Sequence, residues 1–136
     1  MRFKSSAHAV YNVEYHIVWT PRYRKKVLSG GVGKYLKKVL ENLQGLHGDI
    51  EEKKDNVQAD HVHLIVVIPP RVSVADVVKY MKSKTGKLMG GRFEFIRQTM
   101  YGEEGMWSRG YCVSSIGLNE KIISPLFRLY KNQENV

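Results

Sequence analysis

The segment that decides the fold is DHVHLIVVIPP, residues 60–70. Its run of aliphatic and β-branched residues predicts a buried strand over 61–68, and the two prolines that follow end it. Because side chains alternate along a strand, His61 and His63 are expected to leave the same face. The opposite face would carry the core residues Val62, Leu64, Val66 and Ile68.

This histidine pair is a candidate metal site, because two imidazoles on one strand face are close enough to share a cation. Two polar rings without partners would be costly on so apolar a strand, which favours a metal over a chance pair on a solvated strand end. A hard cation such as Mg²⁺ or Mn²⁺ needs further ligands, mostly oxygens. The tail offers Gln133 or Glu134. Glu14 and His16 are alternatives if the first strand is a neighbour, but an ordinary polar strand face is the favoured interpretation of those two.

Hydrophobic periodicity predicts the remaining elements. Before the histidine strand it predicts a strand over 10–19, a helix over 32–46 and an edge strand over 49–57. After it come a helix from Val74 to Met89, a short helix around Arg92 to Thr99, a strand from Trp107 to Ile116 and a partly helical tail over 118–136. This order predicts an α+β fold: a split β-α-β (ferredoxin-like) sandwich with a mainly antiparallel sheet, helices on a face and a C-terminal helix.

The helix over 74–89 is predicted to be amphipathic. Ser73 followed by Asp76 resembles a capping box at its start. The inward side would hold the apolar residues Val74, Val77, Val78, Met81 and Leu88. The other side is cationic and carries Lys79, Lys82, Lys84 and Lys87.

The overall composition points to a basic single domain. The length of 136 residues allows one domain, residues 1–136, and 22 Lys and Arg against 13 Asp and Glu give a net charge of +9. Such a charge attracts polyanions, with nucleic acid ahead of anionic membranes. The single cysteine excludes an intrachain disulfide framework and a zinc site of several thiolates. Without an apolar run of about 18 residues or a secretory signal, a cytoplasmic location is expected.

A second basic tract follows the first predicted strand. Basic residues proposed to contact phosphates are Arg22, Arg24, Lys25 and Lys26 in this tract, the four helix lysines, and Arg109 in the last predicted strand. A charge run is usually only a solvated face, but the net charge favours nucleic-acid binding. Tyr23, Tyr80 and Tyr101 are candidates for stacking on unpaired bases.

The tail contains one candidate nucleophile, Tyr130. On a helix Gln133 and Glu134 would lie on its side, at spacings of three and four residues. A phenol titrates near 10, so it needs a nearby metal or base to attack. Packing is the competing interpretation, because Tyr130 follows Leu126 and Leu129 at helical spacing.

Four stretches resemble a known family: YHIVWTPRYRKKVL (15–28), DHVHLIVVIPP (60–70), YMKSKTGKLM (80–89) and WSRGYCVSSIG (107–117). In order and spacing they are similar to the small single-tyrosine transposases of the HUH endonuclease superfamily, from bacterial and archaeal insertion sequences. The first matches the family's first strand and basic loop, and the second its histidine–hydrophobe–histidine strand. The other two match its basic second helix and its last strand.

The resemblance implies an HUH fold and a metal-dependent DNA strand transferase. His61 and His63 would bind Mg²⁺ or Mn²⁺, and a tyrosine would attack the scissile phosphate, leaving a 5′-phosphotyrosine link and a free 3′-hydroxyl. The substrate would be single-stranded DNA with hairpins near the element ends. The protein would act as a homodimer in which the tyrosine helix of one subunit completes the site of the other.

The tail departs from the family pattern. The family register places Leu126 where the tyrosine belongs and Tyr130 where a glutamine belongs, and Pro125 falls inside the expected helix. Ser124 and Pro125 are a favourable N-cap and first position, so a helix restarting there would carry Tyr130 one turn late, with Gln133 or Glu134 as the third ligand. The alternative is a catalytically inactive relative that only binds hairpin DNA or RNA.

Overall fold

The computed structural model describes residues 4–5, 10–11, 13–43, 50–98 and 105–115. Two short strands, β1 (Lys4–Ser5) and β2 (Val10–Tyr11), pair with each other in antiparallel fashion. A separate four-stranded sheet contains β3 (Glu14–Trp19), β4 (Glu51–Gln58), β5 (His61–Val67) and β6 (Cys112–Ser115). The strand predicted over 10–19 is therefore divided, because Val10 and Tyr11 pair with β1 rather than with the main sheet.

The main sheet has the order β4-β5-β3-β6, and every neighbouring pair is antiparallel. The histidine strand β5 thus lies at the centre, between β4 and β3, and β4 is an edge strand as predicted. Between β4 and β5 the chain turns within two residues, Ala59 and Asp60. This tight turn fixes the register that places His63 opposite Asn56 of β4. On its other side His63 lies opposite Val18 of β3.

Within the ranges that the structure describes, three helices accompany the sheet. They are α1 (Gly30–Asn42), α2 (Val74–Arg92) and α3 (Glu94–Arg97), and a short 3₁₀ turn spans Arg22–Arg24. The hydroxyl of Ser73 accepts a hydrogen bond from the backbone N–H of Asp76 at 3.0 Å, so Ser73 caps α2 as expected. None of the described helices is long and apolar enough to cross a bilayer.

The core lies between one face of the sheet and the helices. Alternate residues of the two central strands, Ile17, Trp19, Val62, Leu64 and Val66, point into it. They pack against the inward sides of α1 and α2, which supply Leu36, Leu40, Val77, Val78 and Met81. The predicted alternation of β5 is confirmed, and its histidines leave from the face opposite the helices.

One predicted core residue of α2 is placed wrongly. Leu88 is 37% exposed, whereas its neighbour Met89 is fully buried. Trp107 explains the difference, because its indole N–H lies within hydrogen-bonding distance of the hydroxyl of Thr85 (3.0 Å) and its ring packs beside Gly86. This contact sets the buried side of the helix along Thr85 and Met89 and leaves Leu88 outside.

The last strand is shorter than the prediction of Trp107 to Ile116. Trp107 makes an isolated bridge with Pro21, and the strand itself begins at Cys112. The predicted helical tail, 118–136, lies outside the described residues. The α+β architecture with a mainly antiparallel sheet is confirmed, and the single domain over 1–136 stays a prediction.

Candidate active site

His61 and His63 lie at the start of β5, next to the turn from β4, and both are on the sheet face opposite the helices. Both are partly buried, and each of the residues that alternate with them is fully buried in the core. Because the strand is held on both sides by ladder hydrogen bonds, the two Cα positions are fixed relative to each other. The site therefore rests on a central strand that is paired on both sides.

Asp60 fixes the ring of His61. Its Oδ1 atom lies 2.9 Å from Nδ1 of the imidazole, and its Oδ2 atom accepts a hydrogen bond from Arg24 Nη2 at 3.2 Å. An ionised carboxylate only accepts hydrogen bonds, so Nδ1 of His61 carries the proton. The neutral ring then holds its lone pair on Nε2, the nitrogen further from the backbone.

His63 contacts a histidine of the neighbouring strand. The Nε2 atom of His63 lies 3.0 Å from Nδ1 of His16, with the ring centroids 5.2 Å apart. Burial, and then the charges of His16 and His61, lower the pKa of His63. His63 is therefore neutral at pH 7, the state that a metal ligand requires.

The two alternative ligands on β3 have different surroundings. Glu14 forms an ion pair with Lys53 of β4 at 2.6 Å. His16 instead faces His63 across the strand pair. Of the two, His16 is the one that the fold brings to the histidine pair.

The described residues supply some of the ligands that a metal ion needs. Two imidazoles share a face, and one of them is oriented by a carboxylate, an arrangement typical of histidines that bind metals. No group of three or more His, Cys, Asp or Glu residues suited to hold an ion occurs within the described ranges. Gln133, Glu134 and Tyr130 lie outside those ranges, so the third ligand and the nucleophile stay predictions.

Three of the predicted phosphate-contacting residues form hydrogen bonds with other groups of the protein. The ammonium of Lys82 donates hydrogen bonds to the carbonyls of Ser108 (2.7 Å) and Gly110 (3.0 Å). The Nε–H of Arg22 donates to the Gly105 carbonyl at 2.7 Å, and Arg24 holds Asp60. The bonds of Lys82 and Arg22 tie α2 and the basic tract to the segment that precedes β6, and the bond of Arg24 ties the tract to the turn before β5.

The other predicted basic residues are exposed: Lys25, Lys26, Lys79, Lys84, Lys87 and Arg109. A cleft of about 300 Å³ lies beside α2 and is lined by Lys79, Lys82, Ser83 and Tyr111. Next to the basic tract, Tyr23 is 78% exposed and adopts a left-handed backbone conformation with φ of 57°. Tyr80, by contrast, packs partly against the core, and Tyr101 lies outside the described residues.

A family model described as "Transposase IS200 like" matches residues 9–124, most of the chain. The chain belongs to the IS200-like transposase family. The transposase for insertion sequence element IS200 of Salmonella typhimurium is 34% identical over 122 residues, which covers 85% of this chain and 75% of that one. The ISDra2 transposase TnpA of Deinococcus radiodurans is 29% identical over 121 residues, with 89% and 85% covered.

A solved structure supports the fold of this transposase. It is a crystal structure from Deinococcus radiodurans, provisionally assigned as a transposase, with a TM-score of 0.82 and 29% identity. The match covers 96% of this chain and 97% of that one. The predicted family and fold are thereby confirmed.

The sequence alone does not predict that Asp60 contacts the ring of His61 in this transposase, or that Arg24 pairs with Asp60. The available signal was the position of Asp60, which directly precedes the first histidine in a two-residue turn. An acid at that position is near enough to reach the ring of the next residue. The basic tract reads as one phosphate-binding unit in the sequence, which does not predict the pairing of one arginine with this acid.

Proposed function

We propose that this transposase cleaves and rejoins single-stranded DNA at insertion-sequence ends, with a divalent metal ion at His61 and His63 and Tyr130 as the nucleophile. The observation that carries the proposal is the oriented histidine pair on the central strand of a chain that belongs to the IS200-like transposase family. Asp60 holds one ring with its lone pair on Nε2, and burial keeps the other ring neutral. Both features suit metal ligation.

A bound Mg²⁺ or Mn²⁺ would polarise the scissile phosphate and stabilise its developing negative charge. His61 and His63 would hold the ion, with Gln133 or Glu134 as a further ligand. Glutamine and glutamate both supply the oxygen atoms that such hard cations prefer.

The chain's own reactive group would be the phenol of Tyr130. Its oxygen forms a bond to phosphorus while the bond from phosphorus to the 3′ oxygen breaks, and the phenolic proton passes by way of solvent to that leaving oxygen. The products are a 5′-phosphotyrosine and a free 3′-hydroxyl. A 3′-hydroxyl reverses the reaction by attacking the same phosphorus, so rejoining needs no external energy source.

The substrate surface would combine the basic tract with the outer side of α2. Exposed Lys25 and Lys26 follow exposed Tyr23 in the sequence, and exposed Lys84 and Lys87 lie on the helix. Lysines beside an exposed aromatic ring suit single strands, since the cations track phosphates while the ring stacks on a base. Hairpin DNA at the element ends is the proposed ligand.

A homodimer with shared active sites is part of the proposal. In this arrangement the tail bearing Tyr130 completes the site of the partner subunit. Light scattering at micromolar concentration is expected to give about twice the 15.7 kDa mass of one chain. A monomer at that concentration would contradict completion of the site by a partner.

The second candidate function is an inactive relative that still binds hairpin DNA or RNA. The observation that favours it is Leu126 at the family's tyrosine position. Such a protein would retain the histidine site and the basic surface but would form no covalent link to DNA.

The experiment that tests the proposed function is metal-dependent cleavage of a labelled single strand carrying the element end. Wild-type protein is expected to cleave it with Mn²⁺ and to lose this activity when His61 and His63 are both replaced by alanine. The same double variant is expected to lose Mn²⁺ binding of one ion per chain. Cleavage or metal binding that survives in the double variant would contradict the assignment of these ligands.

A further inference from the structure

We propose that Asp60 and Arg24 are positioning residues that hold His61 with its proton on Nδ1 and thus present Nε2 to the metal ion. The inference rests on the proposed function for the part that concerns metal binding. It removes Arg24 from the phosphate-binding surface and gives it a role in the metal site. It also connects the basic tract physically to the histidine strand.

The contacts form a continuous chain of three side chains. Arg24 Nη2 donates to Asp60 Oδ2 at 3.2 Å, and His61 Nδ1 donates to Asp60 Oδ1 at 2.9 Å. The three side chains are similarly shielded, with exposed fractions of 18%, 17% and 16%. Charge-assisted bonds in such a partly buried setting are stronger and less screened than those between solvated side chains.

The two carboxylate oxygens of Asp60 contact different side chains. Oδ1 determines which ring nitrogen of His61 carries the proton, and Oδ2 is anchored by the cationic guanidinium of Arg24. Without Arg24 the carboxylate would keep one partner but lose the bond that limits its rotation. Without Asp60 the ring of His61 would lose both its orientation and its preferred proton position.

The backbone around Arg24 shows why this arginine turns towards the site. Tyr23 and Arg24 have φ angles of 57° and 51°, left-handed values that non-glycine residues rarely adopt. The turn is held by hydrogen bonds from the Arg24 N–H to the Pro21 carbonyl and from the Arg22 N–H to the Met106 carbonyl, both 2.9 Å. In this conformation Tyr23 is exposed while the guanidinium of Arg24 reaches Asp60. Strained backbone of this kind is characteristic of functional sites.

The first test needs no metal. The ring nitrogen shifts of His61 are measured by ¹⁵N NMR in metal-free protein above pH 7.5, in the wild type, Asp60→Ala and Asp60→Asn. The wild type is expected to show the Nδ1–H form, and Asp60→Ala is expected to lose that preference. Asp60→Asn, which keeps an acceptor oxygen, is expected to retain part of it. An Nε2–H form in the wild type, or an unchanged spectrum in Asp60→Ala, would overturn the proposal.

The second test measures Mn²⁺ affinity by electron paramagnetic resonance. Loss of such an outer-sphere partner typically weakens metal binding by about 10- to 100-fold, and this range is expected for Asp60→Ala. Arg24→Ala is expected to weaken it less, with partial recovery in Arg24→Lys. The matched controls are Asp76→Asn, a carboxylate at the start of α2, and Lys25→Ala, the exposed neighbour of Arg24. Both controls are expected to leave Mn²⁺ affinity unchanged.

The two tests separate this inference from the function on which it rests. If the wild type binds no Mn²⁺, the proposed metal site is wrong, and the NMR measurement still decides whether Asp60 orients His61. If the wild type binds Mn²⁺ and Arg24→Ala binds it equally well, Arg24 has no positioning role and the proposal fails for that residue. A loss of affinity in Lys25→Ala equal to that in Arg24→Ala would likewise overturn it, because the effect would then be one of general charge.

Discussion

The Nδ1 atom of His16 lies 3.0 Å from the Nε2 atom of His63, so a hydrogen bond joins β3 to β5 on the sheet face opposite the helices. One nitrogen of this pair must donate and the other must accept, and two imidazolium rings at this separation would repel each other. The pair therefore favours neutral rings. This preference agrees with the lowered pKa of His63 and has a consequence for stability.

We expect the metal-free protein to lose stability as the pH falls below about 6.5, the ordinary pKa of histidine. The pKa of His63 is lower in the folded protein than in the unfolded chain, because of burial and the nearby charges of His16 and His61. The unfolded chain therefore binds a proton first, so stability is complete above the unfolded pKa and declines below it. Urea unfolding between pH 8 and pH 5.5 with a chelator present measures the effect. The decline should be smaller in His63→Gln, and an equal decline would contradict the role of His63.

Glu52 is expected to produce a pH dependence of the opposite sign. Burial and the neighbouring carboxylate of Asp55 raise its pKa to about 7. The folded protein therefore holds this proton more tightly than the unfolded chain, and the contribution of Glu52 to stability declines as the pH rises from about 4.5 to about 7. Glu52→Gln should stabilise the protein more at pH 8 than at pH 4.5. We expect a difference of about 1 kcal/mol, because the half-buried group is screened by solvent.

The matched control for this prediction is Glu94→Gln. It removes the same charge from α3, away from Glu52 and the neighbouring Asp55. It should shift stability equally at both pH values, as measured by urea unfolding. A Glu52→Gln variant that behaves like this control would show that Glu52 titrates as a solvated carboxyl.

The outer side of α2 should contribute phosphate contacts to DNA binding. Removing two exposed lysines in the double variant Lys84→Ala, Lys87→Ala is expected to weaken binding to a single-stranded oligonucleotide and to lower the slope of log K against log salt. Each lost contact accounts for about 0.7 of that slope for single strands. Fluorescence anisotropy between 50 and 300 mM salt measures both quantities.

A double variant on α1, Lys34→Ala with Lys38→Ala, removes the same charge from another helix. These lysines are also exposed, so the pair controls for net charge alone. If both double variants lower the slope equally, the binding is general charge attraction and α2 is not a specific surface.

Tyr23 should act as a stacking platform for an unpaired base. Its ring is 78% exposed beside Lys25 and Lys26, in a turn that is anchored on both sides. Tyr23→Ala is expected to lose about 1–3 kcal/mol of binding free energy for single strands, whereas Tyr23→Trp should retain it. Affinity for a blunt duplex should be equal in all three proteins. Equal single-strand affinity in Tyr23→Ala would contradict the stacking role.

The parts of the fold that follow from local pattern could be predicted. The alternation along β5 predicts both histidines on the face away from the core, and the spacing of Ser73 and Asp76 predicts the cap of α2. These features depend on a few neighbouring residues, in the second case on Ser73 and Asp76. The misplaced Leu88 depends instead on Trp107, which is distant in sequence and selects the buried side of the helix by its contact with Thr85.

The candidate site likewise combines features that depend on neighbouring residues with features that depend on residues distant in sequence. The histidine pair could be found because its two members are adjacent on one strand. The contact between His16 and His63 required the strand order, and the pairing of Arg24 with Asp60 required the left-handed turn at Tyr23 and Arg24. Neither has a periodic signal in the sequence, since both arise from the packing of separate elements.

The proposed mechanism requires that Tyr130 attacks DNA at a site organised by His61 and His63. The most direct measurement is formation of a covalent adduct on a labelled single strand that carries the element end, with Mn²⁺ present, resolved by denaturing electrophoresis. Wild-type protein is expected to form a denaturant-resistant adduct, and mass spectrometry of its peptides should locate the nucleotide on Tyr130. Tyr130→Phe should bind the strand with unchanged affinity and form no adduct. An adduct that persists in Tyr130→Phe, or a wild-type protein that binds its own element end without forming one, would contradict the proposed mechanism.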